Sequence, residues 1–241
     1  MKKTILLICL AVITIGCIMY GTRKHMNGKV RFFDNGLIRI DLDSDDVENT
    51  GDTNGKVNQI FEQFSAIKIN SSVMEVRLEE GDNFSVDGFY TKEWLEPVLA
   101  VKNGTLEITQ PNKKPKITSG NQNCRINITF PSNTKFGDID IDTNVGDVKL
   151  RKIAADDIHI DLNVGEVTAR NVSFNSMHVN TNVGAVSIDP NDDIDEYDMS
   201  LSTDVGVVKV GGKGFKRSYN QNGKGKKKIK VNTNVGEINI K

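Results

Sequence analysis

Residues 139–150 read IDIDTNVGDVKL, and four later segments align with this stretch without gaps. They are IHIDLNVGEVTA at 158–169, MHVNTNVGAVSI at 177–188, MSLSTDVGVVKV at 199–210 and IKVNTNVGEINI at 229–240. A fainter copy, IKINSSVMEVRL at 67–78, keeps the apolar columns but has Met74 in place of the glycine. Self-similarity at a spacing near 20 residues indicates a repeat architecture.

The pattern inside each repeat predicts a strand, a tight bend and a second strand. From Ile139 to Val145 every second residue is apolar or threonine, which is the period of a half-buried strand. After Gly146 the alternation resets, so that Val148 and Leu150 point inward. Glycine suits such a bend because it can adopt a positive φ without a Cβ clash. We therefore expect strand, bend and strand, followed by a loop of about seven or more residues.

A repeat of this length cannot bury an apolar face alone, but stacked repeats share one continuous core. The composition favours a narrow core, because only 37% of the residues are hydrophobic and 6% are aromatic. We expect an all-β, single-domain β-solenoid, a β-helix-like stack of NVG rungs, over residues 59–241. The predicted rungs lie near 67–78, 139–150, 158–169, 177–188, 199–210 and 229–240.

A polar column precedes the bend glycines. Its members are Asn144, Asn163, Asn182, Asp204 and Asn234. Stacked asparagines at a solenoid corner can hydrogen-bond to one another and to the bent backbone. We interpret the column as a ladder that stabilises the turns, in preference to a binding site.

The N-terminal region predicts a membrane anchor. After a short tail at 1–3, the segment 4–22 carries no charge, and as a helix it would span about 28 Å, close to the hydrocarbon thickness of a bilayer. We expect an uncleaved transmembrane helix there. A lipoprotein signal at Cys17 is an alternative, although Thr14 is a weak lipobox residue. A cleaved signal peptide is a third reading, but no clean small-x-small site follows.

The segment between the anchor and the solenoid, residues 23–58, is predicted to be a juxtamembrane linker. It contains one alternating stretch, LIRIDLD, and then the acidic DSDDVENTGDTNGK. Basic residues flank the anchor in nearly equal numbers on both sides, so the positive-inside rule does not decide its orientation. We expect the solenoid to lie outside the cell, because MKK followed by an apolar run is typical of an export signal. A cytoplasmic orientation is the alternative.

Charge and cysteine content exclude several classes. Lys plus Arg is 31 and Asp plus Glu is 32, so no global field favours nucleic acid as a partner. The three cysteines, Cys9, Cys17 and Cys124, form neither a disulfide framework nor a zinc spacing. Cys124 stands on the apolar side of an alternating stretch, where it is expected to be a small buried residue.

Two groups of side chains could in principle hold a metal ion. In the first, neighbouring rungs place His159, His178 and Asp140 in one outward column. The second group, which has the oxygen ligands that calcium prefers, comprises Asp142, Asp161, Asp147 and Glu166. Outward columns collect polar residues in any case, and no calcium-repeat signature is present. The sequence predicts no metal site and no cofactor.

No catalytic residues are predicted. The carboxylates recur with the rungs, whereas the paired carboxylates of a polysaccharide-cleaving solenoid would interrupt the repeat with an irregular cluster. The sequence shows neither a Ser/His/Asp order, nor HExxH, nor a phosphate-binding glycine loop. We expect a protein that is not an enzyme.

The insertion from Gly211 to Lys230 breaks the repeat. Its basic residues, without any acid among them, are Lys213, Lys216, Arg217, Lys224, Lys226, Lys227, Lys228 and Lys230. We expect a solvated, glycine-rich loop between the fourth and fifth rungs. Such a loop could attract anionic lipid or cell-wall polymer.

Several stretches resemble a known domain. They are FEQFSAIKINSSVMEVRLEEGDNFSV, NGTLEIT, CRINITFP before the NVG rungs, and GGKGFKRSYNQNGKGKKKIKVNTNVGEINI. Over residues 61–241 the chain resembles the bacterial "putative adhesin" or toastrack domain of YvlB-like and LiaG-like envelope proteins. The resemblance implies a β-solenoid fold and an extracytoplasmic, membrane-associated role linked to envelope stress. It carries no catalytic motif.

Three functional hypotheses remain. The first is a membrane-anchored, non-catalytic module that binds a surface ligand or partner protein, or acts as a structural spacer in the envelope. The second is a regulatory module of a membrane stress-signalling complex. The third, a polysaccharide-active enzyme, is disfavoured by the regular spacing of the carboxylates.

Overall fold

The computed structural model describes residues 30–32, 38–40, 55–110 and 122–241. The chain forms two compact units, residues 1–51 and 52–241. In the first unit, β1 (Val30–Phe32) pairs with the antiparallel β2 (Ile38–Ile40). The predicted anchor helix at 4–22 and much of the predicted linker lie outside the described residues. Within the described ranges, no helix is long and apolar enough to cross a membrane.

The second unit consists almost entirely of strands. Its first seven strands are β3 (Gly55–Ile60), β4 (Ala66–Val73), β5 (Glu75–Glu80), β6 (Ser85–Tyr90), β7 (Val98–Lys102), β8 (Thr105–Thr109) and β9 (Cys124–Phe130). The next five are β10 (Lys135–Val145), β11 (Val148–Arg151), β12 (Ala154–Val164), β13 (Val167–Val172) and β14 (Ser176–Val183). The last five are β15 (Val186–Pro190), β16 (Tyr197–Val210), β17 (Lys213–Gln221), β18 (Lys227–Val235) and β19 (Ile238–Ile240).

These strands form a β-solenoid with two faces. Face I stacks, in spatial order, β8, β4, β10, β12, β14, β18 and the first half of β16, all parallel. Face II stacks β9, β5, β11, β13, β15, β19 and the second half of β16 in the same way. The all-β solenoid predicted from the repeat is confirmed. The first rung of the parallel stack, β8 with β9, is made of two strands that the sequence repeat does not connect, and antiparallel β7 and β6 pair with its outer edges.

The two faces enclose one apolar core because equivalent residues of successive rungs stack in register. Ile139 pairs with Ile158, which in turn pairs with Met177, and all three side chains are buried. The alternation of β9 also behaves as predicted, with Cys124 buried as a free thiol. Burial raises the pKa of this thiol to about 12, so Cys124 is a packing residue.

The alternation up to Val145 predicts that the valine before a bend glycine points inward. This prediction is wrong for three of the five glycine bends, while Val183 and Val235 are partly buried. Val145, Val164 and Val205 are 45%, 43% and 49% exposed. In these rungs the last inward-facing residue before the bend lies two positions earlier, at buried residues such as Thr143 and Leu162. The chain turns outward over two consecutive residues, because the corner begins before the glycine and not after it.

Each bend glycine is required chiefly by the approach of the neighbouring rung. A Cβ built on Gly165 would overlap the carbonyl oxygen of Gly146, and a Cβ on Gly184 would overlap that of Gly165. The same relation links Gly236 to Gly184. Gly146, Gly165 and Gly236 also have positive φ values of 147°, 145° and 159°, whereas φ of Gly184 lies outside that range. Contact between backbones, common to all bends, is therefore the stricter constraint.

The rungs do not stack in the order of the sequence. Segment 229–240 lies between rung 177–188 and rung 199–210: Val231 pairs with Val179 on one side and with Leu201 on the other. The last repeat of the sequence is thus an inner rung of the solenoid. Rung 199–210 lies farther out, and its outer edge pairs with β17.

The segment expected to be a loop from Gly211 to Lys230 is mostly strand. β17 runs antiparallel to β16, and the turn at 222–226 then crosses the beginning of β16 to reach β18 on its other side. The turn passes close to the backbone there, since a Cβ on Gly223 would overlap Tyr197 and a Cβ on Gly225 would crowd Glu196. Gly223 and Gly225 therefore allow the turn to pack closely against the start of β16.

Replacing Gly184 by alanine should destabilise the domain by about 1–3 kcal/mol, the usual cost of forcing extra volume into a packed site. The reason is steric overlap with the carbonyl group of Gly165. Denaturant melts of residues 52–241 measure the effect. Gly214→Ala is the matched control, because a Cβ at Gly214 meets nothing within 4 Å. Equal midpoints for the two variants would contradict the steric role of the bend.

Candidate functional site

The outward side of face I carries the residues singled out in the sequence. One column, here called the histidine column, runs across the stack through Lys68, Asp140, His159, His178 and Lys230. The structure therefore brings the two histidines together on neighbouring strands, with Asp140 on the rung before them, as the repeat predicted.

The two imidazoles meet as a packed pair. Their ring centroids lie 5.0 Å apart with an interplanar angle of 72°, an edge-to-face contact. Nε2 of His159 lies 3.0 Å from Oδ2 of Asp161, a residue of the same strand. Nε2 of His178 is buried and has no hydrogen-bond partner among the described residues. His159 is thus bound to a carboxylate of its own strand, whereas His178 packs its ring against that of His159.

The electrostatic setting of His178 disfavours its charged form. Burial lowers the pKa of His178, and the neighbouring His159 and Lys230 lower it further, while Asn180 and Asp161 act in the opposite direction. The neutral form of His178 is therefore favoured at neutral pH.

An open groove of about 450 Å³ runs beside this column, lined by the pair together with Asp138, Asp140 and Asp157. The mixture of carboxylates and imidazoles is chemically suited to a cation. Across the described ranges, however, no three histidine, cysteine or acidic side chains converge on one point. The absence of a metal site stays a prediction.

The carboxylates considered for calcium take part in contacts between rungs. Oδ1 of Asp161 accepts a hydrogen bond from Nδ2 of Asn180 at 2.7 Å, and Oδ1 of Asp147 accepts one from the backbone N–H of Glu166 at 2.9 Å. Burial acts to raise the pKa of Asp161, but the bonds from Asn180 and His159 outweigh it and the pKa is lowered. Burial dominates at Asp147 and raises its pKa.

The asparagine column forms the predicted ladder. Nδ2 of Asn163 donates to Oδ1 of Asn144 at 2.5 Å, Asn182 donates to Asn163 at 2.6 Å, and Asn234 donates to Asn182 at 2.9 Å. A second ladder runs beside it, in which Asn232 donates to Asn180 at 3.0 Å. The amides along the corner therefore satisfy one another, which agrees with a role in turn stability.

A carboxylate on face II gathers three cations. Glu75 contacts Nε of Arg125 at 2.7 Å, Arg77 at 2.8 Å and Nζ of Lys149 at 3.2 Å. Burial acts to raise the pKa of Glu75, but these cations outweigh it and the pKa is lowered. The cluster joins three neighbouring strands, β9, β5 and β11, and has the character of a structural ion network.

The basic segment contacts an acidic turn at residues 191–198, and the sequence analysis did not predict this contact. Nζ of Lys224 lies 2.9 Å from Oδ2 of Asp195, and Nζ of Lys227 lies 2.6 Å from Oδ2 of Asp192. The backbone N–H of Gly223 donates to Oδ1 of Asp198 at 2.8 Å. The sequence does contain a signal for this contact. The acidic run NDDIDEYD at 191–198 comes directly before rung 199–210, and the basic segment comes directly after it.

The remaining basic side chains at this end are exposed and make no ion pair within the part of the chain that the structure describes. They are Lys213, Lys216, Arg217, Lys226, Lys228 and Lys230. We call this set the basic end. Its members lie on β17, on the crossing turn and at the start of β18. The positive charge predicted for the insertion is thus partly neutralised but not cancelled.

Comparison with known proteins agrees with the fold. The family model described as Toastrack DUF4097 matches residues 64–216. A crystal structure of a "putative cell adhesion protein" from Clostridium sporogenes superposes with a TM-score of 0.55 at 21% identity, covering 77% of this chain and 98% of that one. No curated protein sequence matches the chain.

Two further crystal structures are similar at lower scores. A "putative adhesin" from Bacteroides fragilis has a TM-score of 0.36 at 12% identity, covering 79% of this chain and 99% of that one. One from Parabacteroides merdae has a TM-score of 0.27 at 11% identity, covering 76% and 95%.

Titration of His178 should make stability depend on pH. Because its pKa is lowered by folding, the unfolded chain binds the proton more readily, and the free energy of unfolding should fall as the pH drops below about 6.5. The fall should end below the folded pKa. We expect His178→Asn to flatten this dependence in denaturant melts between pH 7.5 and 5. Parallel curves for parent and variant would contradict the assignment.

Zinc or nickel titrated into residues 52–241 should reveal no tight site that depends on both histidines. His159 is bound to Asp161, His178 packs against the ring of His159, and among the described residues no three histidine, cysteine or acidic side chains are placed to hold a metal ion. Calorimetry on the parent and on the double variant His159→Ala/His178→Ala provides the measurement. A site of micromolar or tighter affinity that disappeared in the double variant would overturn this expectation.

Proposed function

We propose, since the chain belongs to the Toastrack DUF4097 family, that it is a non-catalytic binding module of the cell envelope whose basic end contacts anionic polymer. The observation that carries the proposal is the unpaired positive charge on β17 and the crossing turn, on a protein whose net charge is only −1. The description of the Clostridium sporogenes structure as a "putative cell adhesion protein" agrees with a binding role.

The regular outward columns support a binding role over a catalytic one. The contacts of Asp161, Asp147 and Glu75 hold neighbouring strands together, so these carboxylates serve the stack. Asp138 and Asp157 line the open groove, but they are register partners that recur with the rungs. The paired carboxylates of a polysaccharide-cleaving solenoid would instead interrupt the repeat.

The N-terminal segment supplies the second part of the proposal. The uncharged stretch 4–22 has the length and composition of a transmembrane helix, and we propose that it tethers the solenoid to the membrane with the solenoid outside the cell. A tethered module needs only weak affinity for a surface polymer, because the tether keeps its effective concentration high.

The ligand chemistry proposed is the phosphate diester, which both anionic lipids and teichoic-acid-type polymers present. Lysine binds phosphate as a point charge, without the geometric demands of a bidentate arginine site. The interaction should therefore be weak, electrostatic and sensitive to salt. Each lysine near an anionic surface contributes about 1 kcal/mol at most.

Binding of residues 52–241 to anionic vesicles and to teichoic-acid-type polymer should be measurable at low salt. It should fade near 0.5 M salt, where the screening length is about 4 Å. The quadruple variant Lys213→Gln, Lys216→Gln, Lys226→Gln, Lys228→Gln should lose most of the binding without a change in melting temperature. Lys224 and Lys227 are left intact, because their ion pairs hold the crossing turn.

The control removes four lysines at the other end of the stack. It comprises Lys56→Gln, Lys68→Gln, Lys92→Gln and Lys102→Gln. Two of these lysines, Lys68 and Lys102, make largely exposed ion pairs with Asp140 and Glu107, and such pairs contribute little to stability. Both variants have the same net charge, so a difference between them reports the local field and not the total charge. Equal loss in the two variants, or none in the first, would overturn the proposed role of the basic end.

The comparison of vesicle and polymer distinguishes the two sources of phosphate.

If the chain were instead a regulatory module of a membrane signalling complex, a pull-down of the full chain from membranes would recover one dominant protein partner. The basic-end variant would retain that partner.

A further inference from the structure

The inserted rung, residues 227–240, occupies a slot between strands that would otherwise be edges. On one side it pairs with β14 and β15, and on the other with the two halves of β16. Within the described residues, its only covalent connection to the rest of the domain is the crossing turn at 222–226. The rung is therefore attached through one short segment and held on both sides by hydrogen bonds between strands.

The slot is specific for the pattern of this rung. Ile229, Val231 and Ile238 are buried in the core. Outside, Nδ2 of Asn232 donates to Asn180 at 3.0 Å while its Oδ1 accepts from Oγ of Ser202 at 2.9 Å, so one side chain spans both walls. Each wall thus recognises the rung by alternating burial and by the amide ladder.

The bend adds a contact that few other segments could make. A Cβ on Gly236 would overlap the carbonyl oxygen of Gly184, and a Cβ on Gly206 would overlap that of Gly236. A segment that fills the slot must therefore carry glycine at its corner. Another copy of this rung meets that requirement by identity.

We propose that residues 227–241 are an exchangeable element through which two copies of this chain join, each inserting its rung into the slot of the other. The contacts made within the slot are the same whether the rung belongs to the same chain or to a second copy. The balance is then set by the crossing turn and by chain concentration.

The crossing turn contains contacts that favour insertion into the same chain. Besides the ion pairs of Lys224 and Lys227 with the acidic turn, the backbone N–H of Lys224 donates to the carbonyl of Asp195 at 2.8 Å, and the N–H of Gly223 donates to Asp198. These contacts fix the turn across the start of β16. Their loss should release the rung for exchange without altering the slot.

The length of the turn allows a decisive variant. β17 and β18 flank β16, so the turn must bridge two strand spacings, about 10 Å. The intact connection from Gln221 to Lys227 can reach about 20 Å, but after deletion of residues 222–225 it can reach only about 7 Å. The deletion variant cannot fill its own slot and should fill that of a second copy.

A disulfide between copies reports the exchange directly. Two differently tagged full-length chains are co-expressed, one carrying Ser176→Cys and the other Lys228→Cys, so that the amide ladder of the slot stays intact. These positions are register partners on adjacent strands, within disulfide reach. A cross-link between the tags forms at these positions only when β18 of one chain lies beside β14 of the other. Chains with one of the two substitutions alone control for the native cysteines.

With the intact turn we expect the cross-linked species to be a minor product that grows with chain concentration. Lys224→Gln should increase it, and deletion of 222–225 should make it the major product. Asn222→Ala, which keeps the turn length and its contacts, should match the parent. If neither the parent turn nor Lys224→Gln gave a cross-link between copies at high concentration, the proposal would be wrong, even if the deletion variant failed to fold.

Discussion

The backbone of each bend passes directly over the carbonyl group of the bend next to it, and the stack depends on this approach. The amide of Gly165 donates to the carbonyl of Val183, and that of Gly184 donates to the carbonyl of Val235, so these glycine amides stay hydrogen-bonded as the chain turns. Only glycine leaves room for both the carbonyl contact and this bond. Rungs can then stack at the spacing of a normal sheet on both faces, which closes the narrow core.

The repeat in the sequence was enough to predict the solenoid, because columns of identical residues report stacking directly. The direction of Val145 could not be predicted, since alternation does not reveal at which residue a corner begins. The position of rung 229–240 could not be predicted either. Its pattern fits beside β14 or beyond β16 equally well, and the choice depends on how the chain crosses at 222–226. Local patterns determine rungs, whereas the path between rungs determines their order.

In the candidate site, too, the repeat predicts the contacts between rungs but not those that depend on the path of the chain. The pairing of His159 with His178 followed from the spacing of the repeat, and the asparagine ladder followed from its column. The ion pairs of Lys224 and Lys227 were missed because their partners precede β16 and come close only through the crossing turn. As a result, the charge of the basic segment, counted along the sequence, overstated the field that this end presents to a partner.

The inner position of the last repeat also has a mechanical consequence. A force applied at Lys241 along the strands would load β19 against two neighbours at once, β15 and β16. Hydrogen bonds on both of its edges would then be sheared together, whereas an outer strand such as β17 is paired along one edge, with β16. The solenoid should therefore resist tension from this side better than a stack built in the order of its sequence.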